Sequence, residues 1–306
     1  MKTSLLIVLA ALTCAPFAKA EDSDLPPPNI PGYKPTPRSQ PQQPADKKTL
    51  WFRDAGEYLS YRSVRMGVPT EPSTKLITDG KRFDAAMGKR ISVHNWSEKS
   101  ATETWAVGID GGMLASLTRY KKNGQLTFAT NTFDGFFGAY LGYIGGGWLG
   151  LFRYGHLSAH LVDSNPDILS PVIYSQFWSE FIVGKTFPDP TELSDWEVHL
   201  QGSAGFNNTS APKAKQPRAS FGTTVSWSPG GPDSMAIIAS ADALRAGVTG
   251  QKNSYAFFTG IGSLNRPNST HRPYRVGLGH YLGSDYRNQY YAQRQRWTTF
   301  EISTEF

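Results

Sequence analysis

A short segment from Trp148 to Asp163, WLGLFRYGHLSAHLVD, holds the densest cluster of side chains that could carry out chemistry. In an extended strand successive side chains point to opposite faces, so His156, Ser158 and His160 share one face. A serine beside a histidine has the parts for nucleophilic hydrolysis, because the histidine can remove the serine proton. A carboxylate that orients the histidine would complete such a site. Glu180, on the next predicted strand, is the candidate.

The pairing of the two strands predicts how these groups meet. A regular hairpin across the connection 163–173 places Glu180 opposite His156, and cross-strand neighbours on one face have Cβ atoms roughly 5 Å apart. The predicted catalytic roles are therefore base for His156, nucleophile for Ser158 and orienting group for Glu180. Further polar side chains are predicted to share the same lumen, and these are Tyr154, His160, His199 and Asp163.

Two other interpretations of this cluster stay open. Polar side chains that face the inside of a fairly narrow barrel also form hydrogen-bonded plugs without any chemistry. A metal site built from His156, His160 and His199 is a further alternative, since imidazole binds transition metals. Two histidines two positions apart on a strand are weak evidence for a metal, so neither a metal nor a cofactor is assigned.

The other face of this segment is apolar and predicts contact with lipid. It carries Leu149, Leu151, Gly155, Leu157, Ala159 and Leu161, with Arg153 as the single exception. An apolar row backed by a polar row is typical of a strand in a transmembrane barrel. The segment is therefore expected to be a membrane strand with its histidines in the lumen.

The beginning of the chain predicts export. Residues 1–20, MKTSLLIVLAALTCAPFAKA, combine an early lysine, a short apolar run and a small-x-small cleavage site, which is typical of a signal peptide. The polar, proline-rich residues 21–49 follow, and we expect a periplasmic segment there without a packed core. Contact of this segment with peptidoglycan or a periplasmic partner is a further expectation. The predicted barrel covers residues 50–306.

The composition agrees with a barrel and argues against some other classes. The chain has 31 basic and 25 acidic residues, a net charge of +6, and its lysines and arginines are spread along the sequence, so no nucleic-acid partner is expected. Hydrophobic residues make up only 39%, yet 17 Phe, 14 Tyr, 8 Trp and 30 Gly are present. Membrane barrels show this combination because only every second strand residue faces lipid and aromatic residues gather at the interfaces. The one cysteine, Cys14, lies in the predicted signal peptide, so disulfides are not expected.

Alternating residues separated by turn residues predict twelve antiparallel strands. They are expected at 56–66, 82–96, 103–120, 125–144, 148–162, 174–187, 194–206, 218–228, 234–246, 254–263, 273–282 and 296–306. Tight connections such as Gly145 to Gly147 alternate with longer ones at 67–81, 163–173, 207–217 and 283–295, which predicts short periplasmic turns and long outer loops. An even strand number places both ends of the barrel sequence on the same side. In lipid only a closed sheet satisfies every backbone group.

Two family resemblances follow from particular motifs. The chain resembles a bacterial outer-membrane family, domain of unknown function 1207, in WAVGIDG from Trp105, RYGHLSAHLVDS from Arg153, YSQFWSEF from Tyr174 and a Tyr- and Gln-rich loop before a closing aromatic strand. This resemblance implies an outer-membrane barrel and no particular activity. The spacing of His156 and Ser158 with a glutamate on a neighbouring strand looks like the outer-membrane lipid A deacylases. That second resemblance covers three residues and implies hydrolysis of a lipid ester.

The sequence thus predicts a Gram-negative outer-membrane β-barrel with a structural or narrow-channel, porin-like role and a polar lumen. The alternative is an envelope lipid ester hydrolase that acts on lipid A or phospholipid. Expected partners are outer-membrane lipid, lipopolysaccharide, and the barrel-assembly machinery that reads the closing aromatic strand. Tyr and Arg residues of the last loop, among them Arg294 and Arg296, are predicted either to contact lipopolysaccharide phosphates or to form an interfacial belt.

Overall fold

Twelve antiparallel strands close into one barrel in the computed structural model, which describes residues 74–304 except 98–102, 162–173, 191, 193, 231–233, 265–271 and 287–289. The strands are β1 Thr74–Thr78, β2 Arg82–Ser97, β3 Glu103–Lys122, β4 Gln125–Gly145, β5 Trp148–Leu161, β6 Tyr174–Phe187, β7 Trp196–Ala211, β8 Arg218–Trp227, β9 Met235–Arg245, β10 Ser254–Ser263, β11 Tyr274–Ser284 and β12 Arg294–Thr304. The predicted signal peptide, the proline-rich segment and Phe306 lie outside the described residues.

Each strand pairs with its sequence neighbours, and β1 closes the sheet against β12. Thr74 pairs with Thr304, so the first and last described residues of the barrel lie at one end. We name this the proximal end and the other the distal end. The prediction of a closed twelve-stranded barrel is confirmed, and so is the placement of both ends of the barrel sequence on one side.

Eleven of the predicted strands overlap an observed strand, and the exception is the first. The predicted strand at 56–66 lies outside the described residues. The predicted loop at 67–81 is wrong over Thr74–Thr78, because this segment forms β1 and pairs with both β2 and β12. β1 has only five residues, too few for its alternation to stand out in the sequence.

Two-residue turns connect the most regular hairpins. Asn123 and Gly124 join β3 to β4, and Gly146 and Gly147 join β4 to β5, all four with positive φ. Two successive residues with positive φ match the right-handed twist of the flanking strands, and asparagine and glycine reach this conformation at the lowest cost. The turns therefore fix the register of three consecutive strands.

The expected asymmetry of loop length is wrong. The distal connections at 79–81, 123–124 and 212–217 are as short as most proximal ones, because β1 occupies part of one predicted loop and β7 extends to Ala211. The proximal connections at 188–195 and 264–273 are comparatively long. Loop length therefore does not distinguish the two ends.

The outer face of the barrel is predominantly apolar. Its exposed side chains include Phe137, Phe181, Phe206, Phe221 and Ile237, each more than half exposed. On β7, the outward Trp196 and Leu200 alternate with the inward polar residues Glu197, His199 and Gln201. Among the described residues no helix is long and apolar enough to cross a membrane.

The predicted faces of β5 are reversed in the structure. Leu149, Leu151, Leu157 and Ala159 are buried inside the barrel together with Arg153, whereas Tyr154 and His160 are exposed on the outside. The cause is that the interior at this strand is packed with large side chains instead of water. An apolar row on β5 therefore serves the packed interior.

Inward glycines make room for the large side chains of neighbouring strands. A Cβ on Gly155 would lie 2.6 Å from Cζ2 of Trp178, which is the nearest atom. A Cβ on Gly108 would lie 2.8 Å from the Tyr140 ring and closer still to the Ile91 carbonyl oxygen, and one on Gly112 would lie 2.8 Å from the Phe136 ring and 2.6 Å from the Met87 carbonyl oxygen. Glycine within a strand often marks such a close approach. The packed interior thus depends on paired ring and glycine positions.

Candidate functional site

A buried ionic network crosses the interior of the barrel between β2 and β6. Asp110 on β3 accepts a hydrogen bond from Arg90 of β2 at 3.0 Å and one from Nη2 of Arg153 on β5 at 3.2 Å. The Nε of Arg153 also lies 2.7 Å from Asp110 Oδ2. Glu180 on β6 is paired in register with Arg153, and all four side chains are buried. Two arginines and two carboxylates thus balance their charges inside the barrel, which buried ions require.

Glu180 has a second partner on the other side. Ser203 of β7 donates a hydrogen bond to Glu180 Oε1 at 2.6 Å, and its hydroxyl also lies 2.6 Å from that of Ser220 on β8. Polar contacts therefore continue from Glu180 on β6 to Ser220 on β8. We name Arg90, Asp110, Arg153 and Glu180 the lumen network.

Trp178 fills the space beside this network and has the largest of the fully buried side chains. The guanidinium carbon of Arg153 lies 5.4 Å from its ring centroid and that of Arg218 lies 5.0 Å away. Arg218 in turn donates a hydrogen bond to Gln176, whose amide donates to the Tyr174 hydroxyl at 2.7 Å. Cations over an aromatic face are attracted by its quadrupole, and more strongly where water is excluded. The ring and the two arginines therefore form one compact polar plug.

Distal connections fold over this plug. Val248, from the connection between β9 and β10, is buried against Trp178, Tyr174 and Leu157, and Tyr291 packs on Tyr174 with ring centroids 5.6 Å apart. The connection at 212–217 is tied to the one at 246–253, since Lys215 and Gln216 both donate backbone hydrogen bonds to the carbonyl of Gly247. The distal side of the lumen is thus covered where these loops meet.

A second inserted side chain, Tyr286, comes from the connection between β11 and β12. Its hydroxyl donates to Asp84, and its ring stacks on Trp297 at 5.1 Å. Arg82 lies over the Trp297 ring at 3.5 Å and bonds to Asp84 at 2.9 Å. Burial, together with the neighbouring Asp84 carboxylate, raises the pKa of the Tyr286 phenol well above its usual value. The phenol is therefore held inside the barrel in its neutral form.

The serine and histidines of β5 lie on the outer face. Ser158 Oγ is 2.9 Å from Nε2 of His160, and the serine donates when that nitrogen is unprotonated. His156 does not contact this pair and instead packs between Phe137 and Phe177, with ring centroids 5.1 Å and 4.0 Å away. The structure thus brings Ser158 together with His160 on a surface that faces outward near the distal end of β5.

The predicted pairing of Glu180 with His156 is wrong. His156 pairs with Phe177, and Glu180 pairs with Arg153, so the observed register of the two strands differs from the predicted one by three positions. Three is an odd number, so the shift also places the two side chains on opposite faces of the sheet. The predicted trio is therefore not assembled, because Glu180 belongs to the lumen network.

The remaining predicted residues are also divided between the two faces. The placement of Tyr154, His156, Ser158 and His160 in the lumen is wrong, for the reason given above for β5. His199 does lie inside, where its Nδ1 is 2.9 Å from the Thr186 hydroxyl, and Asp163 lies outside the described residues. Within the described part of the chain, no three His, Cys, Asp or Glu side chains are grouped to hold a metal ion.

The sequence interpretation missed the residues that fill the lumen. Arg153 is the single exception in the apolar row of β5. This exception is the available signal that the row faces the interior, because an arginine in the centre of a lipid-facing strand is costly. Asp110 and Arg90 stand on two further strands, and a single sequence does not reveal that they meet.

Comparisons with known proteins add little to this description. The chain matches no protein-family model and no curated protein. Among solved structures it is similar to the beta domain of the Bordetella autotransporter Brka, with 13% identity, a TM-score of 0.42, and coverage of 76% of this chain and 94% of that one. The fold of this chain is defined by its own strand pairing, and the two family resemblances stay predictions.

Proposed function

We propose that this chain is a β-barrel of the bacterial outer membrane with an occluded lumen, in a structural or narrow-channel role. The observation that carries the proposal is the distribution of polarity, with apolar side chains outside and a charge-balanced network inside a closed sheet. A barrel is the β-structure that leaves no unpaired edge in lipid. A soluble barrel would place its apolar side chains inside and would not expose Phe137, Phe181 and Phe221 together.

The packed interior favours occlusion over a wide pore. Arg153, Glu180 and Trp178 are fully buried at the centre of the barrel, so no water-filled passage runs along them. Any path for solutes would have to be narrow and follow the opposite wall, where the inward residues of β8 to β11 are mostly small, such as Ser220, Gly222 and Gly277. Polar side chains that bond to one another across a lumen also stiffen the barrel.

Conductance in planar bilayers tests occlusion. The purified wild-type chain is expected to show little or no stepwise conductance. Trp178→Ala removes the central ring and is expected to raise conductance at least several-fold, whereas Trp196→Ala removes an outward ring and is expected to change nothing. Large open-pore steps from the wild-type chain would contradict occlusion. Heat-modifiable gel mobility reports whether each variant is folded, and cell fractionation tests the outer-membrane location.

A second candidate function is hydrolysis of an acyl ester of an envelope lipid by Ser158 and His160. The supporting observation is their 2.9 Å contact on the outer face, where acyl chains would reach them. In this arrangement His160 takes the proton of Ser158, whose oxygen attacks the ester carbonyl. The ester C–O bond breaks, the alcohol leaves with the proton from His160, and water then hydrolyses the acyl-serine to release the fatty acid. Glu180 has no part in this arrangement.

Fatty-acid release from lipid A or phospholipid tests the second candidate. Ser158→Ala and His160→Gln are expected to abolish release and to leave the folded barrel intact. Ser175→Ala is the matched control, since Ser175 is a serine on the same outer face that pairs with Ser158, whereas His160 pairs with Phe133 of β4. If the wild-type chain releases no fatty acid, or if the three variants behave alike, hydrolysis by this pair is excluded.

A further inference from the structure

Five basic side chains are concentrated on one part of the distal rim. They are exposed, and we name them the basic girdle: Lys81, Arg119, Lys121, Arg294 and Arg296. The neighbouring order of the strands that carry them is β12, β1, β2 and β3, with Lys81 in the turn between β1 and β2. Since adjacent strands lie roughly 4.8 Å apart, the girdle spans on the order of 15 Å along the rim.

Backbone pairing fixes the positions of the girdle residues. The amide of Arg119 donates to the carbonyl of Lys81 at 2.9 Å, so these two residues are neighbours on one surface. Arg296 pairs with Leu282, next to the inward pair of Trp297 and Tyr281, and therefore points outward. These positions belong to the rim of the sheet itself and do not depend on a long loop.

Acidic side chains neutralise little of the positive charge of the basic girdle. No ion pair of a girdle residue with an acidic side chain is present among the described residues. The nearest exposed carboxylate in sequence is Asp79, which accepts hydrogen bonds from the backbone amides of Lys81 and Arg82. The girdle therefore retains a strong net positive charge and favours an anionic ligand.

Apolar side chains border the girdle on the same outer face. Arg119 pairs with Phe128 and Lys121 pairs with Leu126, and both partners are more than half exposed. Phe83, two residues after Lys81, is exposed as well. A ligand that satisfies both parts of this surface needs negative charge beside hydrocarbon. A phosphorylated lipid has this chemistry, whereas free phosphate matches only the basic part.

The proximal end carries mixed charge. Its exposed groups include the carboxylates Glu192 and Asp195 and the guanidinium of Arg272, while Lys185 is bonded to the backbone carbonyl of Gly146 and lies over Trp148. Among the described residues, the cluster of exposed basic side chains is therefore a feature of the distal rim. The leaflet around the distal end is the one that would supply an anionic lipid.

We propose that the basic girdle binds the phosphate groups of a phosphorylated glycolipid, lipopolysaccharide, in the leaflet around the distal end. This inference rests on the proposed outer-membrane location. Arginine and lysine both bind phosphate, and arginine adds paired hydrogen bonds. In the described part of the last loop, Tyr286 and Tyr290 are buried and Tyr291 packs on Tyr174, whereas Arg294 and Arg296 are exposed on the outside.

Binding of diphosphorylated lipid A to the purified full chain in neutral detergent tests the proposal. The variant K81Q/R119Q/K121Q/R294Q/R296Q is expected to bind roughly tenfold more weakly or worse, which corresponds to about 1.4 kcal/mol or more. The control K185Q/R272Q removes basic side chains at the proximal end and is expected to bind as the wild type does. Equal binding by the girdle variant and the wild type would overturn the proposal.

Two further measurements separate the sources of phosphate and guard against misfolding. Inorganic phosphate at the same concentration is expected not to compete, because it lacks acyl chains; full competition would overturn the assignment to a lipid. If the fivefold variant loses heat-modifiable mobility, it is misfolded, and the double variants K81Q/R119Q and R294Q/R296Q replace it. Each double variant is expected to lose part of the affinity for lipid A. Wild-type affinity in both would overturn the proposal. Lipid A binding is measured in vitro, so it is independent of the fractionation that tests the outer-membrane location.

Discussion

At the scale of single residues, the interior of this barrel is organised around side chains that are costly to bury. Asp110 accepts hydrogen bonds from two arginines on different strands, and Glu180 is held by Ser203 and faces Arg153. Removal of one partner from such a group leaves a buried charge without compensation, which is far more destabilising than loss of a surface ion pair. The hydrogen bonds of Asp110 therefore link β2, β3 and β5, and the hydrogen bond of Glu180 links β6 to β7, so side chains add to what backbone pairing holds together.

The contact of Trp178 with Gly155 gives a prediction at this scale. A Cβ on Gly155 would lie 2.6 Å from Trp178, so Gly155→Ala must shift the ring or the strands, and we expect a loss of about 1–3 kcal/mol in the free energy of unfolding. Urea unfolding of the detergent-solubilised barrel measures it. Gly150→Ala on the same strand is the control, since the nearest atom there is 3.8 Å away. Equal effects of the two substitutions would contradict the ring and glycine packing.

At the scale of the strand, β5 shows how far the sequence can be interpreted and where it fails. Its bounds were predictable, since alternation and flanking glycines depend only on local geometry. Its faces were not, because an apolar row is compatible both with lipid and with a packed interior. The decisive fact is the content of the lumen, which depends on Arg90 and Asp110 from other strands. The erroneous pairing of Glu180 with His156 has a separate cause, because it assumes a regular hairpin across 163–173, and the observed register differs from that hairpin by three positions.

β12 and β7 illustrate the opposite case. Phe300 and Trp196 face outward and Thr299 and His199 inward, as their alternation predicts. In these strands the inward row of side chains is more polar than the outward row. Only one orientation of the strand therefore keeps the charged side chains out of the lipid. Face assignment from sequence therefore succeeds where the two rows differ clearly in polarity and fails where the interior row is itself apolar.

The connection between β11 and β12 gives a prediction at the scale of the element. Tyr286→Ala removes the ring from its place beside Trp297 and the hydroxyl from Asp84, and we expect faster amide exchange in residues 285–293. Tyr286→Phe keeps the ring and is expected to show a smaller increase. Hydrogen exchange measured by mass spectrometry distinguishes the two variants. Similar exchange in Tyr286→Ala and the wild type would show that this side chain does not hold the loop.

The same tyrosine predicts how docking of this loop depends on pH. Burial raises the pKa of Tyr286 above its value in an unfolded chain, which is about 10. A raised pKa means that the neutral phenol is favoured in the docked state, so its contribution is fully present below about pH 10 and is lost as the phenol ionises at higher pH. Loop exchange, corrected for its intrinsic pH dependence, is therefore expected to be constant between pH 6 and pH 9.

At the scale of the whole molecule, charge distinguishes the two ends where loop length does not. The distal rim carries the basic girdle, and the proximal end exposes Glu192 and Asp195 together with Arg272. A rim that binds lipopolysaccharide would lie in the leaflet that contains this lipid. In an outer membrane this is the outer leaflet, so the distal end is expected to face the cell exterior and the proximal end the periplasm.

Cysteine labelling of intact cells tests this orientation directly. Lys252→Cys places a thiol on an exposed distal loop and Glu192→Cys places one at the proximal end, in a chain whose single native cysteine, Cys14, is replaced by serine. A membrane-impermeant maleimide is expected to label position 252 in intact cells and position 192 only after the outer membrane is disrupted. The reverse pattern would place the proximal end outside, and the basic girdle would then lie in the leaflet without lipopolysaccharide. Labelling of both positions in intact cells would be incompatible with a barrel that crosses the membrane.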